Sequence, residues 1–151
     1  MTVTVRPAAP ADIPVIVEFN CRLAHETEAI VLDRDVVLAG VSAVLMDVNK
    51  GLYFVAESVG AIVATAEISY EWSDWRNGWF WWIQSVYVRA EARRQGVFRM
   101  LYQHIYKAAC QDSQVIGLRL YVEHQNHSAQ RTYESLGMKE TGYHIYERYP
   151  L

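Results

Sequence analysis

The sequence predicts a mixed α/β fold, in which helices flank a central, mostly antiparallel sheet. Segments of alternating apolar and polar residues, typical of strands, occur between segments whose apolar residues recur at helical spacing. Three strand segments follow one another between residues 52 and 88, which favours antiparallel pairing. Helical segments separate the other strands, and we expect parallel pairing there. A chain of 151 residues has the usual length of one domain, and we expect a single domain over residues 1–151.

The first half of the chain predicts the order β-α-α-β-β. Residues 2–8 alternate in polarity and predict the first strand. Apolar residues at helical spacing predict a first helix over residues 12–28 and a second over residues 36–48. Two β-prone segments, residues 52–57 and 61–71, enclose a turn that contains glycine and therefore predict a hairpin.

The second half predicts the order β-α-β-α-β. Its elements are a strand over residues 79–88, a helix that begins at Gly96, a strand over residues 116–123, a short helix over residues 127–137 and a final strand over residues 141–149. Residues 72–78 interrupt the alternation, and we expect a loop there. Trp81 and Trp82 follow this loop and are expected on opposite faces of one strand.

Composition excludes several classes of function. The net charge of −3 gives no general attraction to nucleic acid or to anionic membranes. No apolar segment approaches the roughly 20 residues that span a bilayer, and we expect no secretion signal because the N-terminal residues lack a basic segment followed by an apolar one. Cys21 and Cys110 lack the spacing of a metal site, and we expect buried free thiols, no bound metal and a cytoplasmic location.

The turn after Val88 carries Arg93, Arg94, Gln95 and Gly96 and leads into a helix. The first backbone N–H groups of a helix have no acceptor within it, and together with the helix dipole they attract anions. Glycine lets a ligand approach the backbone closely, and arginine binds phosphate in bidentate fashion. The turn therefore predicts a pyrophosphate site, and the alternative is a solvated basic turn.

Two motifs give the chain a resemblance to a known family. Residues 86–99, V-Y-V-R-A-E-A-R-R-Q-G-V-F-R, resemble the acyl-CoA-binding motif of the GNAT N-acetyltransferase superfamily, R/Q-x-x-G-x-G/A after a strand. Arg93 and Gly96 match its first and fourth positions, whereas Phe98 replaces the usual Gly or Ala. Residues 126–138, N-H-S-A-Q-R-T-Y-E-S-L-G-M, are similar to the downstream signature N-x-x-A-x-x-x-Y-x-x-x-G-F/M. The matching residues there are Asn126, Ala129, Tyr133 and Gly137.

The resemblance implies the GNAT fold and the transfer of an acetyl group from acetyl-CoA to a primary amine. It implies that the backbone of Val86, Tyr87 and Val88 binds the pantetheine arm and the thioester of the cofactor. The other residues implied in cofactor binding, chiefly at the pyrophosphate, are Arg93, Arg94, Gln95, Gly96, Val97, Phe98, Arg99, Asn126 and Ala129. Tyr133 is implied as the general acid that protonates the departing CoA thiolate, and a homodimer is expected.

The base that deprotonates the acceptor amine is less evident. An amine with a pKa near 10 is mostly protonated at pH 7. Gln84 stands where the diamine acetyltransferases of the family carry a glutamate, and a neutral amide cannot take up a proton. The carboxylates that remain as candidate bases or acceptor ligands are Glu26, Glu28, Glu71 and Asp74, each of which also fits a solvated surface position. Glu67, in mid-strand, is expected to face solvent.

Trp72 and Trp75 flank acidic residues in the expected loop. Carboxylates beside indole rings suit a cationic guest, and we expect a small, cationic, polyamine-like amine that contacts Trp75. Packing at a dimer interface is the alternative explanation of the tryptophans. Two other functions stay open, namely transfer to a protein or peptide amine and a non-catalytic acyl-CoA-binding module.

Overall fold

A computed structural model describes residues 2–151 of the chain, which form two compact units, a first that ends at Leu120 and a second, Tyr121–Leu151. The strands of the first unit are β1 (Thr4–Pro7), β2 (Leu52–Ser58), β3 (Ala61–Ser73), β4 (Gly78–Val88) and β5 (Val115–Leu120). Its helices are α1 (Ile13–Glu28), α2 (Arg34–Met46) and α3 (Val97–Gln111), with short 3-10 turns at Pro10–Asp12 and Ala90–Ala92. The second unit contains α4 (His127–Ser135). The single domain over residues 1–151 stays a prediction.

The five strands form one sheet in the order β1-β2-β3-β4-β5. All neighbouring strands are antiparallel except β4 and β5, which are parallel and are connected through α3. The predicted mixed, mostly antiparallel sheet is therefore confirmed. Parallel pairing was also expected between β1 and β2, and this expectation is wrong. Two helices connect these strands, so the rule for a single helical crossover between parallel neighbours does not apply to them.

Helices pack on both faces of the sheet. On one face, Ile16 of α1 and Val41 of α2 pack with Tyr53 of β2 in a buried cluster. Phe54, the next residue of β2, points to the opposite face, where its ring lies 5.2 Å from that of His104 in α3. The face that is covered by α1 and α2 is called the α1 face below.

The hairpin between β3 and β4 is longer than expected. Because β3 continues to Ser73 and β4 begins at Gly78, the connecting turn comprises only residues 74–77. Trp72 is a strand residue, and it lies opposite Trp79 with ring centroids 5.0 Å apart. The predicted loop is wrong at both ends because contacts between aromatic side chains on facing strands prolong the ladder.

The second unit contains α4 and, over its described residues, no strand. The predicted final strand over residues 141–149 is wrong, since these residues form no regular secondary structure and side chains such as Tyr143 and Tyr146 are exposed. Aromatic and β-branched residues favour an extended backbone, but a strand also needs a neighbour that supplies backbone hydrogen bonds. The strand predicted over residues 116–123 likewise ends at Leu120.

The two cysteines are free, and Cys21 is half-buried whereas Cys110 is exposed. The expectation of a buried thiol is wrong for Cys110 because this residue follows Ala109, the last buried residue of α3, and lies outside the buried stripe of the helix. No helix within residues 2–151 is both long enough and apolar enough to cross a membrane.

Candidate active site

β4 separates from β5 part-way along its length. The two strands pair from Trp79 to Ile83 of β4, whereas β4 continues beside β3 as far as Val88. Within the described part of the chain, residues 84–88 therefore present one backbone edge that has no partner in β5. This edge carries the three residues expected to bind the pantetheine arm and the thioester.

A β-bulge lies at the start of this edge. The register between β3 and β4 shifts between Thr65 and Glu67, and Ser85 adopts a φ of +48°. A bulge bends its strand and increases the local twist. A bend at this position accounts for the separation of β4 from β5.

The residues after β4 form a turn that ends at the N-terminus of α3. Arg94 and Gly96 both have left-handed backbones, with φ of +62° and +79°. A Cβ placed on Gly96 would meet no atom within 4 Å, so the space above it is open. α3 begins at Val97 and contributes the N–H groups of its first turn and the positive end of its dipole. Successive N–H groups in such a turn can form a concave anion site, and the pyrophosphate contact expected here stays a prediction.

Arg93 holds this turn to the rest of the first unit. Its Nε donates to the carbonyl oxygen of Val88 at 2.8 Å, and its Nη2 donates to Glu26 Oε2 of α1 at 2.6 Å. The guanidinium also lies over the ring of Tyr87, 5.4 Å from the centroid. Arg93 therefore joins the end of β4 to the end of α1 through protein contacts.

The other side chains of the turn divide into two groups. Gln95 Nε2 donates to the carbonyl oxygen of Glu91 at 2.7 Å and stabilises the turn itself. Arg94 and Arg99 are exposed, whereas Phe98 is half-buried, with its ring 6.3 Å from a tyrosine ring one helical turn further on. The exposed guanidinium groups are the ones suited to a phosphate ligand, and the cofactor contacts of all these residues stay predictions.

Both carboxylate oxygens of Glu26 accept hydrogen bonds. Oε1 accepts a hydrogen bond from Tyr87 Oη at 2.9 Å, and Oε2 accepts one from Arg93. The Arg93 guanidinium holds the pKa of Glu26 below its usual range, whereas burial and then the hydrogen bond to Glu26 raise the pKa of Tyr87. A carboxylate with a lowered pKa is a weak base, and Glu26 is suited to linking α1 with β4. Glu28, the last residue of α1, is exposed.

Glu71 belongs to an ion-pair cluster. Its carboxylate accepts hydrogen bonds from Trp82 Nε1 at 2.8 Å and from Arg119 Nη1 at 2.9 Å. The guanidinium of Arg119 stacks on Phe80, 3.7 Å from the ring centroid. Sequence reasoning missed Arg119 because its place beside Trp82 depends on the register between β4 and β5. The charge of Glu71 is therefore already matched by a cation of the protein.

Asp74 and Trp75 lie at the exposed tip of the β3–β4 hairpin. Asp74 Oδ1 accepts a hydrogen bond from the N–H of Trp75 at 3.0 Å, which is a contact of the turn itself. Trp75 is 84% exposed and Trp72 is 45% exposed. A carboxylate beside exposed indole rings retains the features expected of a site for a cation.

Tyr53, Glu67 and Gln84 form a row of polar side chains across β2, β3 and β4 on the α1 face. Glu67 lies opposite both of the others, and the hydroxyls of Tyr53 and Ser85 lie close enough to its carboxylate to favour the charged form. Gln84 Nε2 donates to Ser69 Oγ. The expectation that Glu67 faces solvent is wrong, because the alternation of a strand does not reveal which face a helix covers. Glu67 is half-buried, and this burial raises its pKa.

Asn20 of α1 extends this polar row. Its Nδ2 donates to Tyr53 Oη at 3.2 Å, and burial raises the pKa of Tyr53 to about 12. Asn20 Oδ1 is buried and accepts no hydrogen bond from any group within residues 2–151. Buried acceptors normally have a donor, and this oxygen is an exception within the described residues.

The second unit contains the residues of the downstream motif. Asn126 Oδ1 accepts a hydrogen bond from the N–H of Ala129 at 3.1 Å and caps α4. Gly137 follows the helix with a φ of +89°, and the N–H of Met138 donates to the carbonyl oxygen of Tyr133 at 3.1 Å. Tyr133 is half-buried, and burial raises its pKa. The predicted roles of Asn126 and Ala129 in cofactor binding, and of Tyr133 as general acid, stay predictions.

Comparisons with known proteins confirm the resemblance. The sequence profile of the Acetyltransferase (GNAT) family matches residues 18–138. A possible acetyltransferase from Clostridium difficile 630, whose crystal structure is known, is 46% identical in sequence, with a TM-score of 0.92. The match covers 100% of this chain and 99% of that one. Among curated proteins, none matched the chain.

Two more distant solved structures share the fold. A predicted acetyltransferase from Clostridium acetobutylicum, solved with acetyl-CoA, is 18% identical with a TM-score of 0.79, and the match covers 97% of this chain and 96% of that one. AAC(6′)-Iy, solved with the bisubstrate analogue CoA-S-monomethyl-acetylneamine, is 16% identical with a TM-score of 0.80, and the match covers 100% of each chain. At these identities the likeness establishes the fold alone.

Proposed function

We propose that this chain, which belongs to the Acetyltransferase (GNAT) family and is an acetyl-CoA-dependent acyltransferase, transfers the acetyl group to a primary amine of a small, cationic molecule. The observation that carries the proposal is a continuous track in the first unit. The edge of β4 that has no β5 partner runs to Val88, and the turn over residues 89–96 leads from there to the N-terminus of α3. A ligand with a thioester at one end and a diphosphate at the other matches the order of these features.

The residues of the track have distinct roles in this proposal. Acetyl-CoA supplies an activated acyl group beside the edge of β4, where the backbone of Val86 and Val88 binds the pantetheine arm. A backbone N–H directed at the thioester oxygen stabilises the negative charge that develops on that oxygen. Arg94, Arg99 and the first-turn N–H groups of α3 bind the pyrophosphate.

The small, cationic acceptor is supported by the surroundings of the track. Trp72, Asp74 and Trp75 offer exposed indole faces and a carboxylate to an ammonium group. Glu71 contributes less, because Arg119 already matches its charge. AAC(6′)-Iy, which shares the fold, was solved with an analogue that contains acetylneamine, and aminoglycosides therefore belong among the acceptors to be tested.

A thiol-release assay with acetyl-CoA tests the acceptor class. The panel contains diamines and polyamines, aminoglycosides, amino sugars, amino acids and short peptides at equal concentration. We expect CoA release with the polyamines or aminoglycosides at the highest kcat/KM. Release with peptides alone would replace the small acceptor by a protein acceptor, and tight acetyl-CoA binding without release in the whole panel would exclude transfer to an amine.

Charge reversal at Asp74 separates a cation site from a subunit contact. We expect Asp74→Lys to raise the amine KM about fivefold or more, the equivalent of ~1 kcal/mol for an exposed charge, with an unchanged oligomeric mass. Asp74→Asn and Glu71→Gln each remove one negative charge, and Glu71→Gln should raise the KM less because Arg119 already matches the charge of Glu71. A lower oligomeric mass with an unchanged KM would instead assign the hairpin tip to a subunit contact.

A homodimer is the second part of the proposal. Its support is the exposed apolar surface of the C-terminal residues, which a soluble monomer rarely leaves uncovered. The side chains concerned are Tyr143, Ile145, Tyr146 and Tyr149. Sedimentation equilibrium at micromolar concentration should give twice the chain mass of 17.4 kDa, and a monomer at all concentrations would exclude the dimer.

A further inference from the structure

We propose that Glu67 is the general base of the reaction, and that its carboxylate takes a proton from the ammonium group of the acceptor. The inference rests on the proposed function, because it presupposes an amine acceptor beside the edge of β4. The proposal assigns the role of general base to a residue of β3. The carboxylates at the end of α1 and in the β3–β4 hairpin, which the sequence offered as candidates, do not have this role in the proposal.

Glu67 lies where β4 opens. It is opposite Gln84 in the register, and Gln84 directly follows Ile83, the last residue of β4 that pairs with β5. Ser85, the residue with left-handed backbone in the bulge, also lies near the Glu67 carboxylate. The backbone assigned to the thioester begins at the next residue, Val86. An amine that approaches this edge from the α1 face therefore meets Glu67.

The groups that face Glu67 are polar but uncharged. They are the hydroxyls of Tyr53 on β2 and Ser85 on β4, the amide of Gln84 and, behind Tyr53, the amide of Asn20 on α1. Glu26 and Glu71 differ, because each is paired with an arginine. A half-buried carboxylate whose neighbours are uncharged retains a higher proton affinity than a paired one, as a general base requires.

Asn20 adds a second contact for the same guest. Its buried Oδ1 accepts no hydrogen bond within residues 2–151, while its Nδ2 is fixed by Tyr53. An ammonium group has three N–H donors. One of them faces Glu67 in this proposal, and a second satisfies Asn20 Oδ1. In this proposal Glu67 and Asn20 therefore accept hydrogen bonds from the same ammonium group.

The proton balance of the step is complete with these groups. The acceptor arrives as an ammonium ion, since its pKa is about 10. One N–H bond breaks as its proton passes to a Glu67 oxygen, and the nitrogen lone pair forms the C–N bond to the thioester carbonyl carbon. The C–S bond breaks as sulfur takes a proton from the general acid, proposed to be Tyr133, and the second proton that nitrogen loses restores that acid. Glu67 returns its proton to solvent, so the products are an acetamide, the CoA thiol and one proton.

The variant Glu67→Gln tests the assignment. We expect kcat/KM for the amine to fall about 10²–10⁴-fold at pH 7, the usual contribution of a general base, with an unchanged Kd for acetyl-CoA. The variant acts only on amine that is already neutral. As long as the pH is below the amine pKa, the neutral fraction rises tenfold with each unit by which the pH increases. The ratio of wild-type to variant kcat/KM should therefore fall about tenfold per pH unit above the pKa of Glu67, which a purely structural defect would not do.

Glu57→Gln is the matched control. Glu57 is a half-buried glutamate of the neighbouring strand β2 that pairs with Arg6, and its variant should keep the wild-type rate and pH profile. An unchanged kcat/KM in Glu67→Gln, or a loss that is constant with pH, overturns the role of Glu67 and leaves the proposed function standing. A wild-type protein that binds acetyl-CoA but acetylates no amine overturns the proposed function itself.

A second variant serves if Glu67→Gln does not fold, as judged by circular dichroism. Glu67→Asp keeps the carboxylate but withdraws it by one methylene. A lowered kcat with an acidic limb still present in the pH profile supports the base assignment. A kcat equal to that of the wild type at every pH overturns it, because a general base depends on its distance from the proton.

Discussion

The guanidinium of Arg93 pairs with the carboxylate of Glu26 at 2.6 Å and thereby joins the turn over residues 89–96 to the last turn of α1. The same guanidinium donates to the carbonyl oxygen of Val88, the last residue of β4. The first position of the family motif therefore orders the backbone around the proposed cofactor site through protein contacts. A stability measurement and a binding measurement should both detect its loss.

Glu26→Gln should remove a pH-dependent part of the stability. Because Arg93 lowers the pKa of Glu26 in the folded protein, the carboxylate stabilises the fold above its unfolded pKa of about 4.3. This contribution is lost as the pH falls through the lower folded value. Both side chains are partly exposed, and we expect a difference in the free energy of unfolding of about 1 kcal/mol at pH 7. Urea unfolding should show that the difference disappears near pH 3.

Glu28→Gln is the control for this experiment. Glu28 lies two residues further on and is exposed at the end of α1. Its variant should have the wild-type free energy of unfolding at both pH values. A Glu26→Gln defect of equal size at pH 7 and pH 3 would contradict a charge-based role for the ion pair.

Gly96→Ala should weaken acetyl-CoA binding and lower stability. An alanine with a φ of +79° is strained by about 1 kcal/mol, and its Cβ enters the open space above the turn. We expect the Kd for CoA, measured by calorimetry, to rise about tenfold, the equivalent of roughly 1.4 kcal/mol.

Gly60→Ala separates the two effects. Gly60 has a φ of +74° and equally open surroundings, but it lies in the turn between β2 and β3. Its alanine variant should lose similar stability and bind CoA as the wild type does. If Gly96→Ala also kept the wild-type Kd, the pyrophosphate would not lie over this turn.

Elements with a local signal could be predicted from the sequence. α1 was expected over residues 12–28 and is Ile13–Glu28, because the apolar stripe of an amphipathic helix repeats within the segment itself. The turn before α3 could also be predicted from a local signal, because the end of the strand, the glycine and the start of the helix are adjacent in the chain. Asn126 likewise caps the helix that directly follows it.

Features that depend on distant partners could not be predicted in this way. Glu71 was a candidate base or acceptor ligand that also fitted a solvated surface position, but Arg119, which matches its charge, lies 48 residues away and is placed by the pairing of β4 with β5. Glu67 was expected in solvent, although the register sets it between Tyr53 and Gln84 on the face that α1 covers. The predicted final strand was wrong for the same reason. A high β-propensity favours an extended backbone, but it does not reveal whether a neighbouring strand is present to pair with it.

Ile145→Asp should dissociate the proposed dimer. Ile145 is 68% exposed in the C-terminal segment, and burying a carboxylate in an apolar contact is strongly unfavourable. We expect sedimentation to show the monomer mass at concentrations where the wild type is dimeric. Val59→Asp, at the 98% exposed tip of the β2–β3 turn, introduces the same charge and should stay dimeric. A dimeric Ile145→Asp would place the interface elsewhere.

Tyr133→Phe should reduce the chemical step without reducing affinity. The hydroxyl is proposed to protonate the departing thiolate, and its loss should lower kcat about 10²–10⁴-fold with an unchanged Kd for acetyl-CoA. Because a general acid acts only when protonated, and because burial raises the pKa of Tyr133, the wild-type rate should fall only above about pH 10. The variant should lack this alkaline limb. Tyr146→Phe removes the hydroxyl of a 93% exposed tyrosine and should keep the wild-type rate. An unchanged kcat in Tyr133→Phe, with single-turnover kinetics showing that chemistry is rate-limiting, would require a different acid.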